Sequence, residues 1–292
     1  DIVVVSPSGN LYGSEQVLVD YLRHSRLKFT VVVPEDSLLE HRLRDLKPDH
    51  SIYTYPVSNP ARLYLRIAWG LLTKRIHTLY INEAGHIKYL LLLAKLFRNS
   101  KFLIHVRIVE DTMPARWVPA PGSNVRVVTI SDYMRDKLSV PSKRIYDLFD
   151  FTTAKPLSGS LPANPFIVGV IGRITMTKGI ESILSLLEFV KLRGDKELHF
   201  VFFGEPSEDV YQNGVLDKLK AYEHVSLRGF VAEPAKIYGA IHCVLHTSTR
   251  EPLGRIYLEA IAYQKPLVGF RAAGIGEIGQ LLGLDDLLAM PE

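Results

Sequence analysis

The sequence is poor in the residues that staple or anchor a chain. Its single cysteine, Cys243, in 292 residues excludes an intrachain disulfide framework and fits a reducing compartment. Apolar neighbours make Cys243 a small core residue. Long hydrophobic runs are missing. The longest, Tyr89 to Ala94, is far shorter than the ~20 residues that cross a bilayer. The histidines, His242 and His246 included, show no metal-site spacing, and no nucleic-acid motif appears. No signal-peptide pattern opens the chain. It begins at Asp1 inside an apolar run, so a preceding segment is expected.

What is present is ordinary in amount and uneven in placement. Hydrophobic residues make up 47% and charged residues 23%, the balance of a globular protein with enough chain for two cores. The net charge is +4. Residues 1–150 hold 21 Lys and Arg against 15 Asp and Glu, or +6; the remainder holds 14 against 16, or −2. The basic half suits an acidic or lipid-phosphate partner at a membrane surface better than nucleic acid.

Apolar runs alternate with helical patterns. Ile2–Ser6, Phe29–Val33, Thr78–Asn82, Lys101–His105 and Arg126–Ser131 have the continuous apolar character of strands buried on both faces. Ser14–Arg23 and Ala84–Phe97 have helical periodicity. A stretch with Pro156, Gly159, Pro162 and Pro165 interrupts the pattern. Strands then resume at Phe166–Gly172, His199–Gly204, Val225–Phe230, Cys243–Thr247 and Pro266–Phe270, with a helix over Gly179–Leu192. The alternation predicts an α/β protein of two doubly wound, Rossmann-like domains. Residues 1–151 form the first, 152–165 the linker and 166–292 the second.

The densest signal is Ser248-Thr-Arg-Glu251-Pro-Leu-Gly254-Arg-Ile-Tyr-Leu-Glu259-Ala. Two carboxylates lie eight positions apart, with Gly254 opening a helix over Arg255–Ala262. Eight residues span ~12 Å if fully helical, the scale of a nucleotide-sugar from ribose to hexose. A helix N-terminus between them offers N–H groups and a positive dipole end to a diphosphate. A second signal is Gly172-Arg173-Ile-Thr-Met-Thr-Lys178-Gly179, two cations at the end of a strand. These can stabilise a departing diphosphate without a metal.

With the flanking Tyr238–Ser248, Glu259–Gly269 and Ala272–Ile278, these strings resemble the E-x7-E signature of retaining GT-B glycosyltransferases of the family-4 kind, of the bacterial polysaccharide type. The resemblance covers nearly the whole chain. It implies two domains facing across a cleft, with the acceptor on the first and a nucleotide-sugar on the second. It also implies further helices beyond residue 292 that cross back to the first domain. Glu251 is expected to hold the donor sugar's hydroxyls and Glu259 the ribose, with Arg173 and Lys178 on the diphosphate. Gly13, in Ser8-Gly9-Asn10-Leu-Tyr-Gly13-Ser14, matches a phosphate-contacting glycine, while Ser14 serves equally well as a helix N-cap. His105-Val-Arg107 matches a cleft-edge string that touches the sugar or acceptor; His105 could instead be a core histidine. Gly204 and Val231 match positions that hold the base through backbone, and Leu253, Gly254 and Arg255 complete the donor site.

The resemblance implies no cofactor and no metal, a UDP-hexose such as UDP-glucose as donor, and a glycan or lipid-linked acceptor. It places the enzyme in the cytoplasm, with the inner membrane face as a possible surface. Some positions depart from the pattern. Asp147-Leu148 replaces Asn-Gly, His242 replaces an aspartate, Ile108 replaces a glutamate, and Pro252-Leu253 replaces Gly-Phe. A sugar-nucleotide epimerase or hydrolase, or a non-catalytic nucleotide-sugar-binding protein, remains open on the same fold. Residues Arg62–Arg75 also have two readings. One is a basic amphipathic segment lying on an anionic membrane. The other is a helix whose Leu65, Ile67, Ala68 and Leu71 cover a sheet.

Overall fold

The computed structural model describes residues 1–46, 50–83, 85, 87–112, 119, 122–155, 159 and 161–291. The chain divides into two compact units, Asp1–Phe149 and Asp150–Glu292.

The first unit runs β1 (Ile2–Val5), α1 (Gly13–His24), β2 (Thr30–Pro34), α2 (Leu38–Asp45), β3 (Ser51–Tyr55), α3 (Ala61–Leu72), β4 (Thr78–Ile81), α4 (Ile87–Leu96), β5 (Lys101–Val106), β6 (Val125–Thr129), α5 (Asp132–Lys137) and β7 (Lys143–Arg144). Its sheet is ordered β3-β2-β1-β4-β5-β6-β7, and every pairing is parallel. The order reverses between β1 and β4, the topological switch point of a doubly wound sheet. Val3, Val4, Val5, Val31, Val33, Leu79, Ile81 and Ile104 are all buried, which is why the central strands are continuous apolar runs. Ser37 and Ser131 cap α2 and α5, accepting N–H bonds from Glu40 at 3.1 Å and Met134 at 3.2 Å. The helix expected from Ala84 begins at Ile87; Ala84 itself lies outside the described residues, as does Pro156 of the expected linker.

The second unit runs β8 (Phe166–Ile171), α6 (Ile180–Leu192), β9 (Leu198–Phe203), α7 (Glu208–Gln212), α8 (Val215–Lys220), β10 (Val225–Leu227), α9 (Pro234–Gly239), β11 (Cys243–His246), α10 (Arg255–Ala262), β12 (Leu267–Phe270), α11 (Ala273–Leu282) and β13 (Leu288–Ala289). Its sheet is ordered β10-β9-β8-β11-β12-β13, again all parallel. Ile183, Leu187, Phe200, Phe202, Leu219 and Cys243 pack in its core. Burial pushes the Cys243 thiol up to about 11, so it is inert. Both units are Rossmann-like, the pairing of the GT-B fold class.

Two local expectations need correction. Ser14 does not cap α1, which starts one residue earlier at Gly13. Glu15 caps instead, accepting the Tyr12 N–H at 3.0 Å. Leu65 does not cover the sheet. Leu63, Ile67 and Leu71 are buried, whereas Leu65 is 71% exposed, because it shares a helical face with Arg62, Trp69 and Leu72. Among the described residues, no helix is long and apolar enough to cross a membrane.

Candidate active site

In the second unit the site is assembled where β8 and β11 end. The chain leaves β8 through Gly172 and Arg173, makes a short turn over Met176–Lys178, and enters α6 at Gly179. Gly179 has φ +75°, and a Cβ there would stand 2.2 Å from the Thr247 carbonyl oxygen. Only glycine lets the α6 start press against the end of β11. The Thr247 hydroxyl fastens the contact, donating to the Gly179 carbonyl at 2.9 Å and the Lys178 carbonyl at 3.3 Å. Asp209 braces the turn from the far side, accepting from the Thr175 hydroxyl at 2.9 Å and the Met176 N–H at 3.0 Å. Lys178 is therefore held by backbone fixed at both ends.

Its ammonium pairs with Glu251, in the turn between β11 and α10. The two residues are 73 positions apart, so only the fold brings them together. The His246 Nε2 lies 3.8 Å from the same Glu251 oxygen. Burial raises the Glu251 carboxyl, but the Lys178 ammonium and then His246 outweigh it and hold it below the usual glutamate value. Burial pushes the His246 imidazole down to about 4; Glu251 pulls it up and Lys178 adds to the fall. His246 is thus neutral at pH 7, and its Nε2 has no hydrogen-bond partner among the described residues. Arg173, exposed, and Lys178, His246 and Thr247 line one concavity open to solvent.

Gly254 opens α10 with φ +85°, and a Cβ there would meet Ile275 Cδ1 at 2.6 Å. Leu253 before it is buried, and the Glu251 carbonyl accepts the Gly274 N–H at 2.8 Å. Glu259, about one turn into α10, stands with Arg255 Nε at 3.3 Å and the Tyr238 hydroxyl at 3.1 Å. Tyr238 is buried and stacks on Tyr263 with ring centroids 4.7 Å apart, so the Glu259 carboxylate is held from below. Gly204, at φ +149°, passes so close to the Gly172 carbonyl that a Cβ would be 2.0 Å from its oxygen. Its N–H donates to Gly229 at 2.8 Å, and Glu205 accepts the Phe230 N–H at 2.9 Å. The turns carrying Gly204 and half-buried Val231 are thereby tied together, beside an exposed Phe230.

The first unit has its own polar centre at the ends of β4 and β5. Buried Arg107 forms an ion pair with Asp147 and donates to the Asn82 carbonyl at 2.9 Å. It also donates to His105 Nδ1 at 3.2 Å, and the Tyr80 hydroxyl is 2.7 Å from the same nitrogen. Arginine only donates, so Nδ1 accepts and the ring proton sits on Nε2. Burial, then the Arg107 charge, keep the ring neutral. Its Nε2 is buried without a partner among the described residues. Gly13 is the first residue of α1, followed by Ser14, whose hydroxyl donates to Glu83. Burial pushes the Glu83 carboxyl up to about 7; Ser14 opposes this and Glu15 adds to it.

Sequence reasoning missed His246, Tyr238, Tyr80, Asn82 and Glu83. Asp147 appeared in it only as a departure from pattern, yet it is the counter-ion of Arg107. Among the described residues, no group of three or more His, Cys, Asp or Glu is arranged to hold a metal ion.

The second unit resembles a known family, and the whole chain resembles solved structures. Residues 153–280 are similar to the family described as glycosyl transferases group 1, a match over less than half of the chain. An uncharacterized 42.6 kDa protein in the cps region of Klebsiella pneumoniae is 28% identical over 166 residues, 55% of this chain. The chain matches 42% of that protein's length. Among solved structures, Anabaena HepE in complex with UDP-glucose matches with a TM-score of 0.79 at 20% identity, over 99% of this chain and 85% of that one. A glycosyltransferase from Rickettsia africae matches at 0.70 and 15%, over 95% and 81%. The lipopolysaccharide outer core galactosyltransferase WaaB matches at 0.62 and 15%, over 93% and 81%. At such identities the likeness is one of fold, and the fold is GT-B.

Proposed function

We propose that the protein is a retaining glycosyltransferase that moves a hexose from a nucleotide-sugar to a glycan or lipid-linked acceptor in polysaccharide synthesis. UDP-glucose is the first donor to try. The observation that carries the reading is the pairing of Glu251 with Lys178, which lines one pocket with Arg173. Transfer from a nucleotide diphosphate asks for fixed positive charge where the diphosphate departs and a carboxylate where the hexose hydroxyls lie. Lys178 and Arg173 supply the first and Glu251 the second. Lys178 and Glu251 satisfy one another, and a donor offers each a new partner. The Lys178 ammonium turns to the diphosphate, and Glu251 turns to the sugar with neutral His246 behind it. Glu259 takes the ribose, and the backbone of Gly204 and Val231 takes the base. Leu253, Gly254 and Arg255 form the helix start that faces the phosphates. Gly13, His105 and Arg107 serve the donor phosphates, sugar and acceptor from the first unit. No protein nucleophile is assigned: the acceptor attacks on the face the diphosphate leaves, and the diphosphate assists. HepE is bound to UDP-glucose in its structure, and the Klebsiella protein's name places it in a cps region; both suit this reading.

The test is product analysis. The full chain is incubated with UDP-glucose, with and without a bacterial polyprenyl-linked glycan extract, and with EDTA. UDP release that depends on the extract, gives an α-linked product by NMR and survives EDTA is the expected result. An isomerised sugar nucleotide formed without acceptor would establish the epimerase instead. Binding without turnover of any nucleotide-sugar would establish a binding protein. Full loss with EDTA, restored by Mg²⁺ or Mn²⁺, would overturn the metal-independent assignment.

A further inference from the structure

The outer faces of α3 and α4 are apolar where a soluble helix is usually polar. On α3, Leu65, Trp69 and Leu72 are 71%, 63% and 64% exposed; on α4, Tyr89, Leu92 and Leu96 are 55%, 56% and 67% exposed. Their spacings, i, i+4, i+7 and i, i+3, i+7, put each set on one side of its helix. The two helices are joined through Tyr64 and Tyr89, whose rings lie 4.5 Å apart, so the stripes are neighbours. Six exposed side chains of this size leave several hundred Å² of apolar surface, more than scattered surface residues account for.

Charge decides what can cover it. Residues 61–101 contain eight Lys and Arg (Arg62, Arg66, Lys74, Arg75, Lys88, Lys95, Arg98, Lys101) and one acid, Glu83. That is +7 in 41 residues, more than the whole surplus of the first half of the chain. Arg62 and Arg66 lie on the exposed stripe of α3, and Lys95 on that of α4. A second copy of the same face would bring like charges together, which is unfavourable. A surface that is anionic at its boundary and apolar beneath satisfies both features.

We infer that the paired faces of α3 and α4 are a docking surface for an anionic lipid bilayer, with Trp69, Leu65, Leu72, Leu92 and Leu96 entering the headgroup–acyl boundary and the surrounding cations meeting lipid phosphates. The surface lies wholly within the first unit and does not depend on the donor assignment.

The experiment is flotation of the full chain with vesicles of phosphatidylcholine alone or with phosphatidylglycerol, at low and physiological salt. The protein is expected to float with the anionic vesicles only, and less at higher salt. In a Trp117→Phe background Trp69 is the sole tryptophan, and its emission should shift to the blue on anionic vesicles. Trp69→Ser with Leu92→Ser should reduce binding at least tenfold while the thermal midpoint stays within a few degrees, because both side chains face solvent. Arg62→Glu with Lys95→Glu should cost on the order of fivefold for each cation removed. No flotation and no blue shift would overturn the inference. So would equal binding to neutral vesicles, binding indifferent to both double variants, or a concentration-dependent dimer that shields Trp69 without lipid.

Discussion

Each unit places an ion pair at the carboxyl end of its sheet, and the two pairs differ in how fully they are committed. Arg107 and Asp147 have side chains only 5% and 10% exposed. The arginine also serves Asn82 and His105. Lys178 and Glu251 are 41% and 16% exposed and line or border an open pocket. A buried guanidinium already bonded to Asp147, Asn82 and His105 gives up a partner only at a high cost. A half-exposed ammonium facing a carboxylate can exchange that partner for a better one at little cost. The first pair is fixed in place by burial, and the second is free to exchange partners.

Removing one partner of the buried pair should have the largest effect. Arg107→Leu takes the guanidinium away from buried Asp147 and should cost ~3–5 kcal/mol of stability, read by urea denaturation. A loss below 1 kcal/mol would erase the contrast between the pairs. Lys178→Met should reverse the pattern. Its stability cost is expected below ~1 kcal/mol, since the pair is partly solvated, while turnover should fall ~10²–10³-fold through the lost diphosphate contact.

Protonation sharpens the comparison further. His246 titrates near 6.5 when unfolded and about 4 when folded. As pH falls from 6.5 to 4, the unfolded chain takes up a proton that the folded chain refuses. Stability from neutral His246 is therefore present above 6.5 and lost on acidification, by on the order of 3 kcal/mol once pH falls below about 4. Glu83 in the first unit has the opposite sign. Its raised carboxyl contributes stability below 4.5 that is lost as pH rises through about 7. His246→Gln should flatten the acid side of the pH–stability curve, and Glu83→Gln should remove a decline on approaching pH 7. Identical curves for both variants and the parent would contradict these assignments.

Smaller effects concern Glu259. Glu259→Ala should weaken UDP binding by ~1.5–3 kcal/mol, whereas Glu251→Ala should leave UDP affinity and lower turnover. Tyr238→Phe removes one hydrogen bond from Glu259 and should weaken UDP binding by ~1 kcal/mol. Calorimetric titration with UDP separates the three.

The central strands were legible in the sequence because burial on both faces demands an unbroken apolar run. Three edge strands were not. β3 alternates exposed and less exposed residues, β7 is the two exposed cations Lys143 and Arg144, and β13 has two residues. The α10 helix was legible to its ends, Arg255–Ala262, since Gly254 marks its start. What stayed hidden was partnership. His246 reaches Glu251, Tyr238 reaches Glu259 and Asp147 reaches Arg107 across turns whose approach no spacing encodes. Leu65 was misassigned because its apolar character alone suggested burial, while the face it belongs to also bears Arg62 and Trp69.

The contact of Gly179 with Thr247 also bears on recombination of this protein with its relatives. Lys178 and Glu251 lie in segments separated by almost half of the second unit, yet the two are interlocked backbone to backbone. A chimaera that takes residues 172–179 from one parent and 246–254 from another inherits two halves of a joint cut for different fits. Crossovers placed before residue 172 or after residue 274, where Gly274 closes on the backbone of Leu253, keep the joint whole. Exchange of donor preference between parents should succeed only when the two segments travel together.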